Sequence, residues 1–281
     1  MAQHLKPGQG PLEFSRRIWL RTLFGLTLFV LYLPIFVLIA FSFNKQNRGG
    51  VWKGFTFENY PKAWNNSAIF DAMLNSLTIA VITTFFATVI GTMVAVMLWR
   101  FKFPFKPVYE SVMGLPIVIP EICMGVALLM FFNKTGMTQV FGHAVWPFSL
   151  TSIIIAHIAF CFPFVAIVVR SRLVGFNRQL EEASKDLGAS EMQTFWKILV
   201  PFMKPGLIAG ALLAFTLSLD DFVITFFTAG PETVTFPVKI YSMVKTGVKY
   251  EVNAASTVLI IITIVATVLA MKLQSTDKAG H

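Results

Sequence analysis

The sequence predicts an all-α membrane protein with six transmembrane helices, on three observations. Of its 281 residues 56% are hydrophobic and 13% charged, whereas a soluble domain is roughly 25% charged, so the charge needed to cover a surface in water is half missing. Six stretches reach the roughly 20 mostly apolar residues that a helix needs to cross a hydrocarbon core about 30 Å thick. The basic excess, 23 Lys and Arg against 14 Asp and Glu for a net charge of +9, lies between those stretches and not within them, which excludes a nucleic-acid-binding surface and reads as loop charge flanking membrane spans.

The first stretch, 23–43, follows Arg16, Arg17 and Arg21. Ala40, Phe41 and Ser42 offer a weak signal-peptide cleavage site, but the apolar run exceeds the ~7–15 residues of a signal h-region, so a retained helix is expected. The second, 74–99, ends on Trp99; the third, 108–132, contains Pro116 and Pro120; the fourth, 150–169, contains His157 and Pro163. The fifth, 206–229, carries Asp220 and Asp221, and the sixth, 252–271, carries no charge. Prolines at 34, 116, 120 and 163 free backbone carbonyls that must find partners inside a bundle, so kinked helices packed around a cavity are expected. Segments 1–22, 100–107, 170–205 and 272–281 hold 15 of the 23 basic residues, and the positive-inside rule therefore places both termini and the 170–205 loop in the cytoplasm. Trp19, Trp99 and Trp146 stand at span ends, as interfacial anchors do. The chain thus divides into a cytoplasmic segment 1–22, one six-helix transmembrane domain 23–271 and a cytoplasmic tail 272–281. Cys123 and Cys161 both lie in apolar runs, against a disulfide framework or a thiolate metal site.

Four acids fall inside the spans: Glu110, Glu121, Asp220 and Asp221. Glu110 is close enough to a span end to reach the interface. An ionisable group deeper in costs at least ~2.5–3.5 kcal/mol and normally faces a watery cavity. At ~1.5 Å per residue in straight spans, Glu121, Asp220 and Asp221 share a depth about 20 Å from the cytoplasmic end. With no Lys or Arg in any span to pair with, they need protons or a cationic visitor. They are expected to form a cation-binding layer in a translocation path; the plainer reading is carboxyls protonated or bonded to backbone freed by Pro116 and Pro120. Adjacent helical residues point ~100° apart, so one aspartate is expected to line the path and the other to brace it. His157 reads as a hydrogen-bonded packing residue rather than a proton relay. The chain has no HExxH or other His/acid cluster for a catalytic metal, and no GxxxxGK[ST] loop to cradle ATP.

The 170–205 loop is the one polar segment long enough to act as a device. Asn177 can cap a short helix whose apolar positions Leu180, Ala183 and Leu187 recur at helical spacing, and Gly188 permits the turn that ends it. Ser190 can cap a second helix carrying Phe195, Trp196 and Leu199, with Pro201 near its end. Over 177–201 this segment resembles the coupling-loop motif of bacterial ABC-importer permeases, E-A-A-x3-G-x9-I-x-L-P. Glu182, Ala183, Gly188, Ile198 and Pro201 match at the family's spacing, while Ser184 and Val200 replace Ala and Leu. The resemblance extends along most of the chain. Ala159–Phe164, Lys185–Ser190, Phe215–Asp221, Lys239–Lys245 and Glu251–Ala254 are similar to the C-type permease subunits of spermidine/putrescine importers, and Pro120 with Glu121 sits where that family places a pore acid, with Glu in place of Asp.

The resemblance implies a type I ABC importer permease of the MetI-like fold, with a coupling helix entering a cleft of a cytoplasmic ATPase. Glu182, Ala183, Ser184, Gly188, Ile198 and Pro201 would make that coupling, with Glu182 in ionic contact, and Glu121, Asp220 and Asp221 would line the path of a polyamine. It further implies a bacterial inner-membrane location, a second and homologous B-type permease chain, two ATPase subunits that hold the ATP and Mg²⁺, and an extracytoplasmic polyamine-binding protein, with no cofactor and no catalysis in this chain. Two readings stay open beside it: an importer permease for another small solute such as iron, thiamine or a phosphonate, and an ion-coupled secondary transporter, which would show repeats and discontinuous helices.

Overall fold

The computed structural model describes residues 18–46, 50–134, 149–230, 233–244, 247 and 249–276. The N-terminal segment to residue 17, residues 135–148 with Trp146, and the end of the tail from 277 lie outside the described residues. The helices are α1 (Ile18–Ser42), α2 (Asn59–Asn65), α3 (Ser67–Arg100), α4 (Lys106–Val118), α5 (Glu121–Lys134), α6 (Leu150–Leu173), α7 (Gln179–Asp186), α8 (Glu191–Thr194), α9 (Val200–Asp220), α10 (Val223–Thr228), α11 (Phe236–Val244) and α12 (Tyr250–Thr276), with a π turn at Phe195–Leu199 between α8 and α9. Five helices among the described residues are long and apolar enough to cross a membrane, and the bent pair α4 and α5 makes a sixth if counted as one span. The chain divides into two units, 1–63 with 249–257 and 64–248 with 258–281.

In the first unit α1 is apolar beyond Arg21 and Thr22 but for Thr27 and Ser42, and Ser42 is its one buried residue. Such a helix needs lipid or another chain around it. The turn after it is built on two asparagines. Asn44 Nδ2 donates to Val51 O across 2.8 Å and its Oδ1 accepts from Lys53 N at 3.0 Å, while Asn59 Nδ2 donates to the carbonyls of Ser42 and Asn44. These bonds replace a sheet ladder for backbone that would otherwise be unsatisfied.

The core of the second unit is α3, α6 and α9. In lipid there is little hydrophobic drive between apolar helices, so close backbone approach over small residues does the packing. The buried face of α3 is such a stripe: Ala72, Ser76, Ala80, Thr83, Ala87, Gly91 and Ala95. Helix α9 presents Gly206, Gly210, Ala214 and Ser218 at four-residue spacing, all buried. Helix α6 meets it in register. A Cβ at Gly206 would fall 3.6 Å from Val169 Cα, and one at Gly210 3.0 Å from Val165 Cγ1. Cys161 Sγ lies 3.8 Å from Ala214 O, and His157 Nδ1 lies 2.8 Å from Ser218 Oγ. Each four-residue step down α6 is thus matched by a four-residue step up α9. Val165 is gripped from the other side as well, because a Cβ at Gly91 would fall 2.8 Å from Val165 Cβ.

Spans one, two, four and six are uninterrupted helices, and Pro34 and Pro163 lie inside them without ending them. The third span differs from the straight helix assumed above. Ile119 is extended (φ −71°, ψ 132°), as the residue before a proline must tend to be, and α4 and α5 meet there at 109°. The fifth span is also interrupted: Asp221 leaves the helical conformation (φ −62°, ψ 124°) and α10 restarts at Val223. The depth arithmetic for Glu121 therefore does not hold, since the rise per residue applies only along a continuous helix.

Candidate functional site

The two breaks bring the sequence-predicted acids into one region. Glu121 is the first residue of α5, where the exposed amides of a helix start favour a carboxylate. Asp220 is the last residue of α9, and both side chains are exposed. They are near enough to act on each other through their charges. Helices α5 and α10 pack closely, since a Cβ at Gly125 would fall 2.6 Å from Phe227 Cδ2. Aromatic rings gather beside the second break: Phe222 lies 4.7 Å from Tyr241 and 5.5 Å from Phe226, between ring centroids.

Asp221 is placed differently, at 8% exposure. Its carboxylate accepts from Ile224 N (3.3 Å), Thr225 N (2.8 Å) and Thr225 Oγ1 (2.9 Å), so it satisfies first-turn amides of α10 although Phe222 is the formal capping residue. The fourth partner is His157 Nε2, 3.2 Å from Asp221 Oδ2 and 2.9 Å from Thr225 Oγ1. A carboxylate can only accept, which assigns the imidazole proton to Nε2 and leaves Nδ1 to accept from the Ser218 hydroxyl. His157, 2% exposed, is a hydrogen-bonded packing residue, as the sequence suggested. Ser152 Oγ adds a bond to Thr228 O at 2.8 Å, so α6 holds the far end of α10 as well. Cys123 is an exposed and Cys161 a buried free thiol.

The coupling-type loop forms the expected turn with two differences. Gly188 has φ +82°, the left-handed region open to glycine at little cost, and Asn177 Oδ1 accepts from Gln179 N at 3.0 Å. Ser190 makes a capping box with Gln193. The second helix does not stop near Pro201, however. It runs through the π turn into the fifth span, with Val200 N bonded to Phe195 O. The wider turn relieves the clash of the Pro201 ring with the carbonyl four residues earlier. The apolar residues of this arm are also not covered: no residue of α7 is buried, and Leu187, which follows it, is 89% exposed.

Ionic contacts tie the loop down. Arg100, at the end of α3, reaches Glu181 Oε1 (3.0 Å) and Glu191 Oε2 (2.9 Å). Lys185 reaches Glu191 Oε1 at 2.6 Å, and Ser184 Oγ lies 3.0 Å from Thr194 Oγ1. Arg178 stacks over Trp99 at 5.0 Å. Glu110 pairs with Arg170 at 2.8 Å, joining α4 to α6. Glu182, Ala183 and Gly188 take no part in these ties and stay exposed. Sequence reading missed Arg100; the signal available was a lone arginine at the close of an apolar run, facing a loop rich in glutamate.

Residues 87–275 match the family described as "Binding-protein-dependent transport system inner membrane component". The chain is 43% identical over 248 residues to "Spermidine/putrescine transport system permease protein PotC" of Escherichia coli (strain K12), an alignment covering 88% of this chain and 90% of that protein. It is 36% identical over 253 residues to "Putrescine transport system permease protein PotI" of the same organism, covering 89% and 88%. Among solved structures it is similar to the MetNI methionine ABC transporter in inward-facing form (TM-score 0.61, 20% identity, 77% of this chain and 98% of that one). It is also similar to a bacterial ABC transporter that imports alginate (TM-score 0.70, 16% identity, 95% and 97%). At those identities the structural likeness is one of fold.

Proposed function

This chain belongs to the family of binding-protein-dependent transport system inner membrane components, and from that premise we propose that it forms half of the translocation pore of an ATP-driven polyamine importer. It is a permease subunit of the MetI-like fold in the inner membrane. The observation that carries the choice of cargo is the 43% identity to a spermidine/putrescine permease over 88% of the chain. The acids support it independently, since the apolar stretches hold carboxylates and no basic residue.

A second, homologous permease chain completes the pore. Two ATPase subunits dock on the loops 177–201 of the pair, receiving Glu182, Ala183, Ser184 and Gly188 with the uncovered Leu180 and Leu187. Ile198 and Pro201 pass their movement into α9 through the π turn. Both termini face the ATPases. An extracytoplasmic binding protein delivers the polyamine, and ATPase closure turns the spans from inward- to outward-facing. Glu121 and Asp220 take its ammonium groups as water is shed, the aromatic rings of Phe222, Phe226 and Tyr241 add cation–π attraction, and Asp221 braces the break. No bond of the cargo is broken in this chain, and ATP and Mg²⁺ belong to the ATPases. Broken helices occur in ion-coupled transporters too, so it is the family membership, not the breaks, that selects ATP as the driving force.

The test is ATP-driven uptake of labelled spermidine and putrescine into proteoliposomes holding the complete complex. Asp220→Asn and Glu121→Gln should each lower uptake about tenfold or more, the scale of losing a charged hydrogen-bond partner worth ~1.5–3 kcal/mol. A complex that carries an uncharged solute and no polyamine overturns the reading.

A further inference from the structure

We propose that His157 is a positioning residue: by bonding both sides of the α9–α10 break it sets the distance between Asp220 and Glu121, and so the spacing of cargo amines that the path selects. The inference rests on the reading of those two acids as cargo ligands. His157 itself, 2% exposed, does not touch the cargo.

A chain that leaves the helix at Asp221 and resumes at Val223 can pivot there, because the break interrupts the continuous backbone bonds that stiffen a helix. Asp220 stands on that pivot. His157 closes it from α6: Nδ1 holds Ser218, two residues before Asp220, and Nε2 holds Asp221, one residue after. Thr225 ties the same nitrogen to the first turn of α10. The neighbouring contacts of Cys161 with Ala214 and of Ser152 with Thr228 fix α6 above and below this point. On the other side, Phe227 of α10 seats on Gly125 of α5, one turn beyond Glu121. The two carboxylates are therefore borne by one frame.

The cargo gives that rigidity a use. Straight-chain diamines differ only in the number of methylenes between two ammonium groups, and a pair of carboxylates held at one separation can discriminate among them. A pair on a loose break would follow each diamine to its own length. Burying an imidazole and a carboxylate with every polar atom satisfied is costly to arrange and rigid once made, which suits a spacer and adds little that apolar packing could not supply.

The experiment measures KM for ATP-driven uptake of a series of diamines differing by one methylene, in the complete complex. Wild type should discriminate between neighbours in the series about tenfold, the usual worth of one methylene. His157→Ala should compress that preference to within about twofold at unchanged complex assembly. His157→Gln, whose amide can still reach Ser218 and Asp221, should restore part of it. A merely structural role would change the melting temperature and leave the preference alone, and that result overturns the inference. If His157→Ala fails to assemble, Ser218→Ala removes one side of the staple, and an unaltered preference there overturns it equally. Wild type that carries diamines without any length preference also overturns this inference while leaving the polyamine reading in place; wild type that carries no amine removes both.

Discussion

Arg100 donates to Glu181 across 3.0 Å, joining the last turn of α3 to the first turn of α7. The same guanidinium holds Glu191 on the far side of the Gly188 turn, so the loop proposed to meet the ATPase is pinned to α3 at both of its arms. Arg100 and Glu181 are partly buried and Glu191 is exposed, so at the membrane edge these pairs are worth about 1 kcal/mol of stability. Arg100→Gln should therefore leave the melting temperature within a few degrees of wild type while lowering polyamine carried per ATP hydrolysed severalfold. Paired uptake and phosphate-release measurements give that ratio directly, and an unchanged ratio would show that the clamp is ornamental.

Glu182 is an exposed residue of α7 that takes no part in the clamp. Glu182→Arg should leave the isolated permease pair folded and abolish most ATP-driven uptake, with the loss visible as failure to co-purify with the ATPase. Full uptake in this variant would remove the assignment of Glu182 to the docking face.

The α3–α6 contact predicts a steric failure. A Cβ at Gly91 would fall 2.7 Å from Phe162 O, a backbone atom that cannot rotate away, and Gly91→Ala should destabilise by about 1–3 kcal/mol as overpacked cores do. Gly25 in α1 has nothing within 4 Å of such a Cβ, so Gly25→Ala should be neutral or slightly stabilising. Thermal unfolding of the purified protein in one detergent compares the two.

The Glu191 carboxyl is held below its ordinary range, first by its hydrogen bond from Lys185 and then by the charges of Lys185 and Arg100. A depressed carboxylate contributes its stabilisation above the unfolded-state value and loses it as pH falls through the folded one. The loop contacts should therefore be flat in pH around neutrality and loosen only in acid below the usual carboxylate range. Lys185→Gln should move that loosening to higher pH, read from the Glu191 side-chain chemical shift.

Much of this was legible in the chain. Apolar run length located the five membrane-length helices and the bent pair α4 and α5 because lipid leaves backbone only helix as a way across, and the loop motif located the turn at Gly188 because few residues other than glycine take its φ. The bend at Ile119 was half visible, since Pro120 forbids a straight continuation but does not state an angle. The break at Asp221 was hidden: the run from Ser218 to Thr228 has neither Gly nor Pro. Its one sign was a capping residue type followed four positions later by Thr225. The staple could not be read at all, because His157 and Asp221 are far apart in sequence and meet only through the register of α6 on α9. That register had a readable half in Gly206, Gly210, Ala214 and Ser218, but not its partner.

Val165 touches Gly91 on one flank and Gly210 on the other. The three positions share a single volume that three helices must divide, so a change at one constrains the others. A methyl gained at Gly210 has to be offset by loss of the Cγ1 atom at 165. Among diverged copies of this permease positions 165 and 210 should therefore drift as a linked pair, and a Val165→Ala background should be the one in which Gly210→Ala becomes tolerable, whereas Gly91→Ala still meets Phe162 O.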